Sequence, residues 1–184
     1  DLRHVTDHLI ASTCEMMAYG LPYLEIGPHL LGQTDYAAIC DDFHTFYSNY
    51  DTPCGTLSVT DCTRLDDLAA LMSDINARYT YTGRAEDELQ DLDGYRPTIF
   101  YDLADYVRHL CPDPSLLAAF EQLLSLTVTH KTHTPTYYTT IAEDGRGQYP
   151  IHTYSGLTIS DPSIGHPSAP LAAKQNTAWW RATH

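Results

Sequence analysis

The chain has 184 residues, 43% of them hydrophobic and 18% charged. That suits one ordinary folded domain rather than a disordered or fibrous chain. A formal net charge of −14 and only ten Lys and Arg residues disfavour nucleic acid and anionic membrane surfaces as partners, despite fourteen tyrosines that could stack on bases.

No apolar run approaches the roughly 20 residues that span a bilayer. Cys14, Cys40, Cys54, Cys62 and Cys111 are odd in number and show neither C-x-x-C nor zinc-finger spacing. Residues 1–5, D-L-R-H-V, lack an initiator Met and a signal-peptide pattern, which reads as a start inside a longer precursor, set by processing or by truncation.

In chain order, Leu9, Ile10 and Ala11 are a short apolar run within residues 7–12 and predict a buried strand. Residues 12–22 hold Gly20 and Pro22 around Cys14, Met16, Met17 and Tyr19, a composition for a structured surface loop. Tyr36, Ile39, Cys40, Phe43, Phe46 and Tyr47 share one helical face, with Thr34 as N-cap. Residues 56–61 alternate Leu57 and Val59 with Ser58 and Thr60, the period of a strand buried on one face. Thr63 and Asp66 form a capping signature for a helix through Leu65, Leu68, Leu71, Met72 and Ile75.

Residues 80–97 are polar and acidic, with Gly83, Gly94 and Pro97, and read as a surface insertion that adds little to the core. Ile99, Leu103, Tyr106, Val107 and Leu110 predict a helix ended by Pro112 and Pro114. Leu116, Leu117, Phe120, Leu123 and Leu124 predict another that begins at Ser115. The last third turns β-branched and aromatic, predicting strands over residues 127–134, 137–141 and 151–159. Gly145 and Gly147 suit a hairpin turn, residues 161–170 a Pro-rich loop, and residues 176–183 a short helix around Trp179 and Trp180. Helices and strands mixed in this order imply an α/β layer architecture over residues 1–184.

Several residues invite chemistry. His130 and His133 are three apart on a predicted strand and therefore point to opposite faces, a poor start for a metal site. His4 and His8 lack an H-E-x-x-H context and a third ligand. Among the thiols, Cys14 is the one in a loop after a strand, where a nucleophile is commonly exposed, whereas Cys40 and Cys62 read as small core hydrophobes. Asp66 with Asp67, Glu86 to Glu88, and Asp91 with Asp93 are carboxylate clusters that calcium can use, although none matches an EF-hand loop and such runs are mostly solvated surface.

The segment H-L-I-A-S-T-C-E-M-M-A-Y-G-L-P-Y, residues 8–23, resembles the stretch after the catalytic cysteine strand in the clostripain family of cysteine peptidases. Y-D-L-A-D-Y-V, residues 101–107, is similar to that family's D-L-x-D-F-V helix. His133, Thr134 and Pro135 with Ser155, Gly156 and Leu157 are similar to its late strands, and Trp179 and Trp180 to its closing A-W-Y segment.

The resemblance implies the C-terminal part of a caspase-like α/β/α sandwich and hydrolysis of peptide bonds after Arg or Lys by a Cys/His dyad. The family's D-x-C nucleophile precedes a segment like Val5, Thr6, Asp7, so the dyad is expected on an upstream fragment of the same precursor, and no catalytic residue in this chain. Internal cleavage in the family falls before that cysteine, so a start at Asp1 departs from the pattern. Glu15, Met16, Met17 and Tyr19 are then the expected substrate-binding residues. Some family members carry an acid near the position of Tyr19; a tyrosine there offers a hydroxyl or an aromatic face instead. The family implies an extracytoplasmic location in a bacterium. The competing readings are an inactive binding module of the same fold and, more weakly, Cys14 itself as nucleophile.

Overall fold

The computed structural model describes residues 4–95, 98–140, 147–160 and 173–184. Along the chain come β1 (His8–Ala11), α1 (Tyr23–Leu30), α2 (Tyr36–Ser48), β2 (Thr56–Asp61), α3 (Leu65–Asn76) and the single turn α4 (Ala85–Glu88). They are followed by β3 (Tyr101–Asp102), α5 (Leu103–Leu110), α6 (Pro114–Thr127), β4 (Val128–His133), β5 (Thr136–Tyr138), β6 (Gln148–Pro150), β7 (Thr158–Ile159) and α7 (Ala178–Thr183).

β1, β2 and β4 form an antiparallel sheet with β2 in the middle, Ile10 opposite Val59 and Val59 opposite His130. Leu57 and Val59 pack with Ile26, Ile39, Phe43 and Tyr47, so α1 and α2 cover that face. The other face, Ser58 and Thr60, is also buried, at 3% and 4% exposure, so β2 is a two-sided core strand rather than the one-sided strand its alternation predicts. Hydroxyl residues can line a covered face when they are hydrogen-bonded. The Ser58 hydroxyl donates to the Gly156 carbonyl at 2.7 Å.

The second core joins α3, α5 and α6 through Leu68, Met72, Ile75, Tyr106, Val107, Phe120 and Leu124. Residues 80–95, the described part of 80–97, contribute four side chains to the interior, which corrects their reading as a surface insertion that adds little to the core. Tyr81, Ala85 and Leu89 pack in this second core and Leu92 in a third cluster, all four buried. Only Ala85 lies in the single turn α4, and the other three are placed by irregular chain on either side of it, hidden among carboxylates.

Helix boundaries follow the capping carboxylates. Asp35, not Thr34, caps α2 by accepting from Ala38 N at 3.0 Å. Asp61 accepts from Thr63 N at 2.9 Å and opens the 3₁₀ turn ahead of α3, in place of the Thr63 and Asp66 signature. Asp102 accepts from Asp105 N at 3.0 Å, so α5 begins at Leu103 and Ile99 lies outside it. Asp113 accepts from Ser115 N and Leu116 N with Pro114 in the first turn of α6, the position where a missing N–H costs nothing.

α1 has no counterpart in the sequence reading, because Gly27 and Pro28 obscure its period. Residues 151–157 are irregular rather than a strand, and only Thr158 and Ile159 pair, with β3. β5 and β6 form the expected hairpin. Gly145 and the Pro-rich residues 161–170 lie outside the described residues.

Gly156 explains the irregular stretch. Its φ is +89°, and a Cβ there would sit 2.7 Å from Val128 Cγ1 and 2.9 Å from Ser58 Cβ. Gly156→Ala is therefore expected to lower stability by about 2–4 kcal/mol through backbone strain and overpacking together. Gly20→Ala, at φ +65° in open space, is expected to lose only about 1 kcal/mol, the cost of the left-handed backbone. Urea denaturation of the two variants checks the order; equal losses would show that the close approach to β2 and β4 is unimportant.

Candidate active-site rim

The C-terminal end of β1 runs into residues 12–20, and one buried hydroxyl fixes where they go. Thr56, fully buried at the start of β2, places its Oγ1 2.8 Å from Ser12 Oγ and accepts from Thr13 N at 3.2 Å and Cys14 N at 3.3 Å. Ser12 Oγ donates to the Cys14 carbonyl at 2.9 Å, closing a tight turn.

Cys14 lies inside this turn against Leu92, Tyr137, Tyr149, Ile151 and Tyr154. Burial, opposed only in part by the Thr56 and Thr13 hydroxyls, pushes its thiol up to about 12. Such a group holds almost no thiolate at neutral pH, and the thiolate is the reactive form.

Glu15 is anchored rather than free. Its two oxygens accept from Thr140 N and Thr140 Oγ1, both at 2.7 Å, tying the rim to the end of β5. Partial burial raises its carboxyl, but the hydrogen bonds from Thr140 and Thr139 outweigh that and hold it below its ordinary value. Met16 and Met17 are half-buried and pack on the α1–α2 core.

Tyr19 is 65% exposed, and its ring stands edge-on to Tyr50 at 5.3 Å. Gly20 N donates to the Met17 carbonyl at 2.8 Å, and the Tyr47 hydroxyl donates to the Gly20 carbonyl at 2.6 Å, so the tip of the rim is pinned to α2.

Behind the rim the tyrosines form a wall. Tyr137 stacks on Tyr149 at 5.4 Å, and Tyr154 meets His133 edge-on at 5.2 Å. The hydroxyls of Tyr137 and Tyr154 are buried without a formed hydrogen bond, although Asp91 lies close enough to Tyr137 to add to the upward push of burial on its phenol. Gln90 Oε1 accepts from His152 N at 2.6 Å while its Nε2 donates to the Pro150 carbonyl at 3.1 Å. Asp102 accepts from Ser155 N at 2.5 Å. These two side chains hold residues 150–156, and through them Tyr154, in place.

Along the outer side of β1, β2 is its only partner among the described residues. Among the described residues no strand pairs with the other edge, although the Thr6 hydroxyl donates to the His8 carbonyl at 2.8 Å. Beside it lies a cavity of about 320 Å³ lined by Leu9, Ala11, Ser12, Thr13, Ser58 and Thr60 with residues from the Gly156 stretch.

The remaining histidines stand apart from the rim. His8 and His130 flank Tyr36 at 5.0 Å and 6.0 Å, whereas His133 turns to Tyr154, the divergence that strand spacing requires. His4 is exposed, and Cys40 and Cys62 are core residues. Among the described residues no group of three or more His, Cys, Asp or Glu side chains is disposed to hold a metal ion. The carboxylates at 66–67 sit in the first turn of α3, where they complement the helix dipole. Thr56, Tyr47, Tyr50 and Thr140 escape sequence reasoning, since their contacts with the rim span 27 residues or more.

Two tests follow from this geometry. Cys14 is expected to resist iodoacetamide in the folded protein at pH 7.5 and to react on unfolding; peptide mapping that finds rapid native labelling would contradict its burial. For Glu15, a carboxyl lowered in the folded state stabilises the rim above its unfolded pKa, and that contribution is lost as pH falls through the lower folded value. Amide protection of residues 12–20 should accordingly decline between about pH 5 and pH 3 before that of β2, and Glu15→Gln should remove this pH dependence.

No protein-family model matches the chain, and none of the curated proteins does. Solved structures do. A clostripain from Bacteroides thetaiotaomicron, in complex with the peptide inhibitor BTN-VLTK-AOMK, is 52% identical with a TM-score of 0.91 over all of this chain and 79% of that one. A secreted C11 cysteine protease from the same species, iotapain, is 51% identical with a TM-score of 0.90, and this chain spans 50% of its length. An inactive zymogen C11 protease from Parabacteroides distasonis is 25% identical with a TM-score of 0.83, over 99% of this chain and 53% of that one. With this identity over the whole chain, the chain belongs to the clostripain, or C11, family.

Proposed function

We propose that this chain is the C-terminal part of a cysteine endopeptidase in which Glu15 to Tyr19 form one wall of the substrate cleft and an upstream stretch of the same precursor supplies the Cys/His dyad. The observation that carries this reading is the open edge of β1 ending in a rim that Thr56 holds rigid. A strand added along that edge would satisfy its backbone groups and bring new side chains beside the rim. Glu15 and Tyr19 face outward, and Met16 and Met17 support them from beneath. Cys14 is a packing residue in this scheme, because its buried thiol is kept protonated.

Cleavage after Arg or Lys is part of the proposal. It is supported by the inhibitor bound to the Bacteroides clostripain, whose peptide VLTK ends in lysine, and by an acidic chain that favours cationic ligands. An extracytoplasmic location is supported by the secreted relative. No helix among the described residues is long and apolar enough to cross a membrane.

The test uses the full precursor. It should cleave a lysine reporter peptide, lose that activity on thiol alkylation, and keep it in a Cys14→Ser variant. Intact-mass analysis of the active form should find the D-x-C segment, either in the same polypeptide or in a tightly bound one. A precursor that binds the peptide without cleaving it would favour the inactive binding module, and loss of turnover in Cys14→Ser with native stability would return the nucleophile to Cys14.

A further inference from the structure

One peptide group behind the rim is held on both sides by side chains of opposite charge. The Tyr154 carbonyl accepts from Lys131 Nζ at 2.7 Å, and the Ser155 N–H of the same peptide bond donates to Asp102 Oδ2 at 2.5 Å. A cation on the oxygen and a carboxylate on the N–H both suit the peptide dipole, and hydrogen bonds with an ionised partner are the strong ones. Asp102 is fully buried, and its other oxygen accepts from Asp105 N at 3.0 Å. Burial lowers the Lys131 ammonium and the Asp102 charge opposes that, so the two arms of the clamp also act on each other.

This clamp lies where the chain has no ladder to hold it. Residues 151–157 are irregular, with Gly156 at φ +89°. Lys131 comes from β4 and Asp102 from the cap of α5, so two regular elements set the place of Tyr154. Tyr154 is 7% exposed and belongs to the cluster against which Cys14 packs. Burial pushes its phenol up, and the adjoining Thr13 and Thr56 hydroxyls pull it back in part. Those two residues build the turn at the start of the rim, where Thr56 Oγ1 accepts from Thr13 N at 3.2 Å and from Cys14 N at 3.3 Å. A displaced Tyr154 ring therefore acts on the turn directly.

Resting on the peptidase reading above, we infer that Asp102 and Lys131 are positioning residues for the rim: they clamp the peptide between Tyr154 and Ser155, that peptide fixes the Tyr154 ring, and the ring backs the turn at residues 12–14. The Tyr154 hydroxyl is buried without a formed hydrogen bond, so the ring acts by its shape. A side chain that only stabilised the fold would loosen every element when removed. A clamp on this peptide loosens the turn selectively.

The experiment uses the full precursor and follows amide hydrogen exchange. In Lys131→Met, exchange at Thr13 and Cys14 should rise about tenfold, the scale of one lost hydrogen bond to a charged group, while the β2 amides keep their wild-type rates. Asp102→Asn leaves one acceptor oxygen where two are used and should raise it further. The double variant should be no worse at the rim than Asp102→Asn alone, because both changes act on one peptide group. Tyr154→Phe should leave the rim as in the wild type, and in a Tyr154→Ala background Lys131→Met should have no further effect. With a lysine reporter peptide, kcat/KM of Lys131→Met should fall mainly through KM, and Lys131→Arg should restore most of it.

Unchanged exchange at Thr13 and Cys14 in both clamp variants overturns the inference, as does a rise matched throughout β2, which would make the clamp a general stabiliser. If Asp102→Asn does not fold, Lys131→Met decides alone. A selective rise with KM unaltered overturns the link to the cleft. A wild-type precursor that cleaves no lysine peptide removes the peptidase reading, and the exchange pattern then upholds or overturns the clamp by itself.

Discussion

The geometry at the end of β1 depends on the Thr56 hydroxyl more than on any apolar contact. A hydroxyl offers one donor and two acceptor sites, and here it gathers Ser12, Thr13 and Cys14 onto the first residue of the neighbouring strand. Thr56 has no exposure to solvent, so its own hydroxyl has no water to replace a lost partner. Leaving it unpaired costs about 1–3 kcal/mol, more than a hydrogen bond contributes net. That asymmetry makes the turn a defined shape instead of an average over loop conformers. Everything farther along the rim inherits its direction from there.

The rest of the rim is held by bonds of different kinds, each suited to its position. Near the buried end the contacts are neutral and enclosed. Farther out, Glu15 uses charge-assisted hydrogen bonds to Thr140, which tolerate exposure because they are short and doubly made. At the tip, where hydrogen bonds would compete with water, the Tyr47 ring and hydroxyl clamp Gly20 from the core side. Stiffness thus decreases outward but does not vanish, and Tyr19 reaches solvent on a backbone already in place. On the proposed reading, a cleft wall built this way would lose little entropy when a substrate settles against it.

The legibility of this arrangement in the sequence follows from how local each cause is. Residues 56–61 alternate cleanly, and β2 spans the same residues. What alternation cannot reveal is that the Ser58 and Thr60 face is roofed by Gly156, because that contact crosses 98 residues. The acidic stretch at 80–97 misleads for the opposite reason: charge dominates its composition, yet Tyr81, Ala85, Leu89 and Leu92 carry the packing, most of it from irregular chain. Capping positions were displaced from Thr34 to Asp35 and from the Thr63 signature to Asp61, since the aspartates hold the competing acceptor, one residue later in the first case and two residues earlier in the second. The family was readable through the resemblance of residues 8–23 and 101–107. The partners of the rim, Thr56, Tyr47, Tyr50 and Thr140, were not, as no local pattern marks a residue whose role is to meet a loop far away in sequence.

The burial of Cys14 bears on how the chemistry is divided. A thiol partly buried against the cluster of Leu92, Tyr137, Tyr149 and Tyr154 is pushed toward its protonated form and packs as a small hydrophobe. A catalytic thiolate asks for the reverse environment: partial exposure and a nearby positive charge or imidazole. On the reading proposed above, such a group would come in along the edge of β1, next to the sheet face on which Leu9, Ala11, Ser58 and Thr60 line a cavity of about 320 Å³. Under the proposed reading the two halves therefore have complementary demands. This one supplies a wall anchored at Thr56, Glu15 and Gly20, and the other would supply the reactive pair, whose energetics would be spoiled by the enclosure that Cys14 has.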